Sequence, residues 1–520
     1  MQNNPTLSPI QRFLFLGAIA LNAMMMNLDF TAVNLAVLPM AEDLKESIDT
    51  IQWVLSGYLL AFSSMLIPAG NIGDRIGYRR TLLLGTLIFV ITSIIIALAP
   101  NSWIAISARI AQGAGAALNV TSVYGLIAEV LSKNKQPLAI SIIGAALGLG
   151  MALGPTFGGV LIEYFNWPAI FWINLPIGAS VFAIIISTGP KSKPHHAGQA
   201  MDWPGISCLV SGLSLILYAL GNAHIWGWDD LLLWGLTAGG VLLIVYCVLR
   251  EKSISHPLLH LHLFKNKFFS YACILFTGFN YCWVAMIFII GLLLQDVWEY
   301  TPFHAGLIML AMTVCYGAFC PISGLLLKKY SPRVLAVTGF ILTVPGLIWI
   351  LYLPVNGVLT QWILAQLLIG TGFAFTFSSV NTTMISSLPE KETGAGSGLF
   401  LMFGLFAGAL SLVVTSAIAM GTLLAKLEDL AEAHGVILTE EQSEGLLQVA
   451  QTGHFTAKQS DMLGTSLSGP MQELVINHVH KGLNIALIVC IILSIAGIFV
   501  SFRGFKGAKI SEHHDIAPML

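Results

Sequence analysis

Gly70-Asn71-Ile72-Gly73-Asp74-Arg75-Ile76-Gly77-Tyr78-Arg79-Arg80 joins two apolar runs, near 51 to 70 and 81 to 99, and holds every Asp, Glu, Lys and Arg between Thr50 and Ala108. An α-helix rises 1.5 Å per residue, so about 20 apolar residues cross the ~30 Å hydrocarbon core of a bilayer. The two flanking runs have that length, and a short charged turn between them is what a pair of membrane spans requires.

Runs of this size recur along the chain. We place fourteen, near 13 to 39, 51 to 70, 81 to 99, 103 to 128, 138 to 162, 168 to 188, 204 to 222, 231 to 249, 270 to 295, 304 to 327, 334 to 353, 358 to 387, 394 to 424 and 482 to 502. Of the 520 residues, 56% are hydrophobic and only 10% are charged, less than half the charged fraction usual in a soluble domain. The fold class is therefore an all-α membrane protein. A formal net charge of -2 leaves no basic stripe, which excludes nucleic acid as a partner. The seven cysteines, Cys208, Cys247, Cys273, Cys282, Cys315, Cys320 and Cys490, fall inside apolar runs without CxxC spacing and read as small core residues. Arg12 precedes the first run as it would in a cleavable leader, but the run continues past Asp29 to Pro39 without a small-residue cleavage site and is expected to be a retained span.

Lys and Arg of short loops favour the cytoplasmic side. With the amino terminus inside, all 24 Lys and Arg fall in inside loops except Lys45, Lys426, Lys458 and Lys481 outside and Arg109 within a span. Both termini are thus expected to be cytoplasmic. Trp53, Trp103, Trp167, Trp203, Trp228, Trp298 and Trp362 lie near span ends, where amphipathic rings settle at headgroup level. Between the last two spans, residues 425–480 form an acid-rich insertion with Glu428, Asp429, Glu432, Glu440, Glu441 and Glu444. Leu423, Leu427 and Leu430, then Leu446, Leu447 and Val449, predict two or three short amphipathic helices there, either a solvated cap or a docking surface.

In the loop after the second span, glycines permit a tight turn, and Asp74 is expected at the start of the following helix, against its positive end. The arginines need carboxylate partners, and Glu129, at the cytoplasmic end of the fourth span, is well placed to be one. A charge cluster made in one conformation and released in another biases the equilibrium between them. A plain positive-inside loop would account for the arginines, but not for the acid and the three glycines. The loop resembles motif A of the major facilitator superfamily, with Gly70, Asp74, Arg75, Gly77, Arg79, Arg80 and Glu129 as its conformational latch. A weaker echo, from Gly324 through Lys328, Lys329 and Tyr330 to Arg333, follows the tenth span, as two repeated halves would produce.

Other stretches carry the same resemblance. In the first span, Asp29, Thr31, Asn34 and Pro39 match the superfamily's span-1 motif, whose acid is implicated in proton coupling; an ionised carboxylate kept in hydrocarbon usually faces a wet cavity. In the fourth, Arg109, Gln112, Gly113, Gly115 and Ala117 resemble motif B. Counted from the outer ends, Asp29 and Arg109 lie roughly 15 and 9 Å deep at helical rise, so they can approach each other. An arginine or a cationic substrate beside Asp29 competes with the proton for the carboxylate, which is antiport in its simplest form. Gln112 is a hydrogen-bond candidate on the same face. In the fifth span, Gly144, Gly148, Gly150, Gly154, Pro155, Gly158 and Gly159 predict a helix that bends and slides against a neighbour, and the ending resembles motif C, which marks exporters. The stretch from Asn166 to Gly178 resembles the following loop and sixth span, with Pro168 where an arginine is usual.

Phe276, Asn280 and Trp283 share one face of the ninth span, and Phe373, Phe377 and Asn381 one face of the twelfth. Such faces attract lipophilic or cationic guests, though the same spacing also serves plain helix packing. With Asn34 and Gln112 these are the substrate-binding candidates. The histidine pairs His195-His196, His260 and His262, His478 and His480, and His513-His514 lack Cys or clustered acid, so no metal site is expected.

Two spans between the halves make the chain resemble the fourteen-span drug:proton antiporter family (EmrB/QacA-like). The resemblance implies a major facilitator fold: a six-helix bundle over 1–190, two added spans over 191–269, a second bundle over 270–503 with the extracytoplasmic insertion, and a cytoplasmic tail over 504–520. It implies a proton-coupled exporter of small hydrophobic or cationic compounds in a bacterial inner membrane, with the proton as coupling ion and no cofactor. The chain reads as a monomer, with a periplasmic adaptor as an open partner. The rivals are an exporter of an endogenous metabolite, such as a siderophore or lipid precursor, and, from another class, an embedded enzyme or sensor. Against the last stand the absence of HExxH, GxSxG and phosphate-loop patterns and the shortness of the inside loops.

Overall fold

In the computed structural model the described residues are 8–46, 48–188, 192, 194, 202–227, 229–251, 260–294, 302–353, 359–389, 392–420, 423–433, 442, 446 and 465–508. Among them there is no strand. The helices are α1 (Pro9–Leu44), α2 (Ile48–Ile76), α3 (Tyr78–Ala97), α4 (Ser102–Val130), α5 (Gln136–Phe165), α6 (Ala169–Trp172), α7 (Asn174–Thr188), α8 (Trp203–Gly221), α9 (Ala223–Trp226), α10 (Leu231–Glu251), α11 (Lys267–Leu292), α12 (Pro302–Leu326), α13 (Pro332–Tyr352), α14 (Leu359–Ser387), α15 (Thr393–Met420), α16 (Leu423–Ala433) and α17 (Thr465–Gly504).

Polar loop residues start these helices by satisfying their first free N–H groups. Ser8 and Gln11 form a reciprocal capping box on α1, the Asn101 side chain caps α4, Asp202 caps α8, and Ser331 precedes Pro332 in the first turn of α13.

Among the described residues twelve helical segments are long and apolar enough to cross a membrane, including α8, α10 and α6 together with α7. The two remaining long helices, α4 and α5, contain 29 and 30 residues and fall outside that set. On α4 the buried Arg109, Gln112, Asn119, Thr121 and Ser122 lower the hydropathy. Polarity is turned inward: Asn22, Asp29, Arg109, Gln112, Asn119 and Asn174 are fully buried, whereas Leu231, Leu242 and Phe499 are each more than 60% exposed.

Helix packing follows the glycines. α1 lies along α5, α2 and α3 along α4, and α7 against α1 and α3; α13 and α12 lie along α14, and α11 along α15 and α17. Between these two sets, α5 meets α12 and α14, while α2 and α4 meet α15. α8 and α10 pair with each other and dock through α8 on α2. A Cβ on Gly212 would come within 2.9 Å of the Gly240 carbonyl, which explains how α8 and α10 come so close.

Two expectations are corrected. α2 continues through Asp74 and Arg75 to Ile76, so this stretch is a final helical turn, and the chain reverses only at Gly77, whose φ of 92° suits glycine. The insertion is also shorter, since residues 465–480 belong to the start of α17 and continue into the last span. α16 is the expected short amphipathic helix, burying Leu427 and Ala431. Most of 434–464 lies outside the described residues, as do Trp228, Trp298, His195, His196, His513 and His514.

Candidate functional site

α1 and α4 bring Asp29 and Arg109 together in the protein interior. Arg109 Nη1 donates to Asp29 Oδ2 at 2.6 Å, and both side chains are 0% exposed. The guanidinium also donates to Gln112 Oε1 at 2.7 Å and, through Nε, to the Val54 carbonyl of α2 at 3.0 Å. Its carbon sits 4.3 Å from the centre of the Tyr58 ring and 5.8 Å from that of Phe171. The second carboxylate oxygen accepts from Asn174 Nδ2 at 2.7 Å. Ser93 closes the set, accepting from Gln112 at 2.7 Å and from Asn174 at 3.1 Å.

A buried ion pair is tolerated only when such hydrogen bonds replace the lost water. Here α2, α4 and α7 each supply one to the pair, and Ser93 of α3 holds Gln112 and Asn174 in place behind it. The expected approach of Asp29, Arg109 and Gln112 is what the structure has. Asn174 and Ser93 were not anticipated: Asn174 stands within the stretch that resembles the sixth span, while Ser93 sits in an apolar run with nothing to mark it.

Motif A is built differently from the expectation. Asp74 does not cap the following helix; it caps α15, across the two helix sets. Its Oδ1 accepts from the Gly394 N–H at 3.1 Å and its Oδ2 from the Ala395 N–H at 2.9 Å, while the Tyr78 hydroxyl donates to Oδ1. The carboxylate thus lies at the positive end of α15. The approach depends on Gly70 and Gly394: a Cβ on Gly70 would collide with the Gly394 carbonyl. Arg79 donates to the carbonyls of Ile185 at 3.3 Å and Ile186 at 2.7 Å, not to a carboxylate. Glu129 accepts from Ser192 at 2.6 Å, whose Oγ in turn accepts from the Tyr78 N–H at 2.9 Å. Arg75 is half-buried and Arg80 exposed.

The motif C glycines face α1. A Cβ on Gly150 would lie 2.5 Å from the Met24 carbonyl, one on Gly154 would strike the Thr31 side chain, and one on Gly158 would lie 3.0 Å from Ala32, whereas Gly159 has room. Pro155 lies within α5, which continues through it to Phe165.

The aromatic candidates converge. Phe276 stacks on Phe400 at 4.0 Å between ring centres, Phe279 meets Phe373 at 5.5 Å and Phe377 at 6.0 Å, and Trp283 meets Tyr316 at 4.6 Å and Phe373 at 5.4 Å. Asn280, on the same helix face, donates to the Phe276 carbonyl at 3.2 Å. Asn381 accepts from the Tyr124 hydroxyl at 2.8 Å, and Ser141 donates to Ser378 at 3.0 Å; both bonds cross between the helix sets. Asn34 stands apart, exposed, with its amide donating to the Phe30 carbonyl at 3.1 Å. Among the described residues no group of three or more His, Cys, Asp or Glu is placed to hold a metal.

Comparison with known proteins follows the same lines. The sequence model of the Major Facilitator Superfamily matches residues 19–412. A tetracenomycin C resistance and export protein of Streptomyces glaucescens is 33% identical over 298 residues, covering 57% of this chain and 55% of that protein. The riboflavin transporter RibZ of Clostridioides difficile is 31% identical over 302 residues, covering 58% and 64%. The chain therefore spans less than two thirds of the length of these relatives. In fold it is similar to the human organic anion transporter MFSD10 (TETRAN), with a TM-score of 0.57 at 15% identity, covering 91% of this chain and 100% of that one.

Proposed function

Because this chain belongs to the Major Facilitator Superfamily, a family of transporters and not of enzymes, we propose that it exports small hydrophobic or cationic compounds in exchange for protons. The observation that carries the reading is the fully buried Asp29–Arg109 pair at 2.6 Å. A carboxylate so placed can bind a proton or keep its arginine, and a change from one to the other alters the contacts that tie α1 to α4. The α5 glycines support the exchange by letting α1 move over a smooth surface. The aromatic cluster of α11, α12 and α14 supplies apolar area for a guest.

We further propose fourteen spans, counting α4 and α5 with the twelve apolar helices, both termini cytoplasmic, and a bacterial inner membrane as location, supported by bacterial relatives. On this reading 1–190 and 270–503 are the two rocking bundles, α8 and α10 are added spans, and the protein works as a monomer, with an adaptor as an open partner. A second reading, export of an endogenous metabolite, is supported by the similarity to a riboflavin transporter.

The test is transport by purified protein in liposomes with an imposed pH gradient, using tetracenomycin C, riboflavin and ethidium as probes. Gradient-driven accumulation should appear for the parent and vanish in Asp29→Asn, with binding retained. Undiminished uptake by that variant would refute the proton role. Accumulation of riboflavin alone would favour the second reading.

A further inference from the structure

Seven residues, two helical turns, separate Asn22 from Asp29 on α1, Thr86 from Ser93 on α3 and Gln112 from Asn119 on α4. Three helices thus repeat a polar level about 10 Å from the ion pair, toward the end of the molecule that carries Asp74. At this second level Asn22 Nδ2 donates to Thr86 Oγ1 at 3.0 Å, and Thr86 donates to Asn119 Oδ1 at 3.1 Å. All three side chains are at most 1% exposed. Asn22 Oδ1 and Asn119 Nδ2 have no hydrogen-bond partner among the described residues. The triad therefore leaves over an acceptor at one end and a donor at the other, each a group that a buried water would satisfy. Between the two levels lies an apolar one in the same register: Met25 and Met26 on α1, Phe89 on α3 and Ala116 on α4, buried together.

We propose that the Asn22–Thr86–Asn119 triad is a water-binding station through which Asp29 releases its proton toward the Asp74 end, with the Phe89 level as the valve between them. The proposal rests on Asp29 as the proton carrier. When the valve loosens, the Asp29 O–H bond breaks and the proton passes to a water oxygen, leaving the carboxylate to Arg109 and Asn174. The Thr86 hydroxyl, turning its hydrogen from Asn119 Oδ1 to the next water, takes up a proton as it hands its own to that water, so the residue is unchanged and bulk water receives the charge. The route runs inside one set of helices and leaves the space between the two sets to cargo. A triad that merely pinned α1, α3 and α4 together would conduct nothing.

Purified protein in liposomes, with an internal pH dye, an imposed pH gradient, clamped membrane potential and no added compound, gives the test. Phe89→Ser should dissipate the gradient several times faster than the parent. Adding Thr86→Val or Asp29→Asn should return the leak to the parent rate, while adding Thr86→Ser, which keeps the hydroxyl, should leave it high. A gradient as tight in Phe89→Ser as in the parent, or a leak indifferent to Thr86→Val, overturns the station. A leak stopped by Thr86→Val but not by Asp29→Asn refutes the proton role of Asp29 itself. Met26→Ser opens the same level from α1 and serves if Phe89→Ser does not fold.

Discussion

Asp29 and Arg109 depend on each other, because neither charge has water to fall back on. Removing one member of a buried pair typically costs about 3–5 kcal/mol, whereas replacing both with groups that keep the hydrogen bonds can be close to neutral. Arg109→Ala should therefore melt well below the parent and transport poorly. Asp29→Asn combined with Arg109→Gln should recover most of the melting temperature without recovering pH-driven uptake. Thermal unfolding in detergent, alongside vesicle transport, separates the two effects; a double variant as unstable as Arg109→Ala would mean that the uncompensated charge is not the cause. Of this site, the acid, the base and Gln112 were legible from sequence, because charge in an apolar run is conspicuous and residues three apart share a helix face. Asn174 and Ser93 were not: one starts α7 and reaches Asp29 only through the packing of α7 on α1, and a serine satisfied by side chains from two other helices leaves no mark in its own.

At the scale of elements, α5 against α1 shows what a glycine pattern specifies. The spacing predicts close approach to a neighbour but cannot say which neighbour. In the structure it is the helix that carries Asp29, with Gly150, Gly154 and Gly158 all against its backbone or side chains. Forcing a larger residue into such packing typically costs about 1–3 kcal/mol. Gly154→Val should lower both the melting temperature and the transport rate, whereas Gly159→Ala, where a Cβ would find its nearest neighbour at 3.9 Å, should change neither. Equal loss in both variants, measured by uptake and thermal melting, would remove the contrast on which the sliding contact rests. Helix length was the less legible feature. Apolar runs end where polar residues begin, but α2 continues through Asp74, which α15 pairs, and α17 starts with a stretch that buries Met471, Val475 and Val479 among polar residues, so the sequence reading set Asp74 in a loop and cut the insertion from its helix.

For the whole molecule, what matters is which contacts between the two helix sets exist only in this arrangement. Near one end, Asp74 caps α15, Tyr124 meets Asn381 and Ser141 meets Ser378, while Gly70 and Gly394 allow the backbones to touch. Hydrogen bonds to a charged group are worth about 1.5–3 kcal/mol each, and a bias of 1.4 kcal/mol is roughly a tenfold change in population. Asp74→Asn keeps the shape, removes the charge facing the positive end of α15 and replaces one acceptor oxygen with an amide nitrogen. It should shift the population by about an order of magnitude toward the arrangement in which this end is apart. Spin labels at Lys133 and Lys328, both exposed and on opposite helix sets, read the change as a longer distance whose share rises in Asp74→Asn. Tyr124→Phe, which loses a single neutral bond, should produce a smaller shift in the same direction. If Asp74→Asn leaves the distance distribution as it is in the parent, the carboxylate is a local cap on α15 and the two halves are held closed by packing alone.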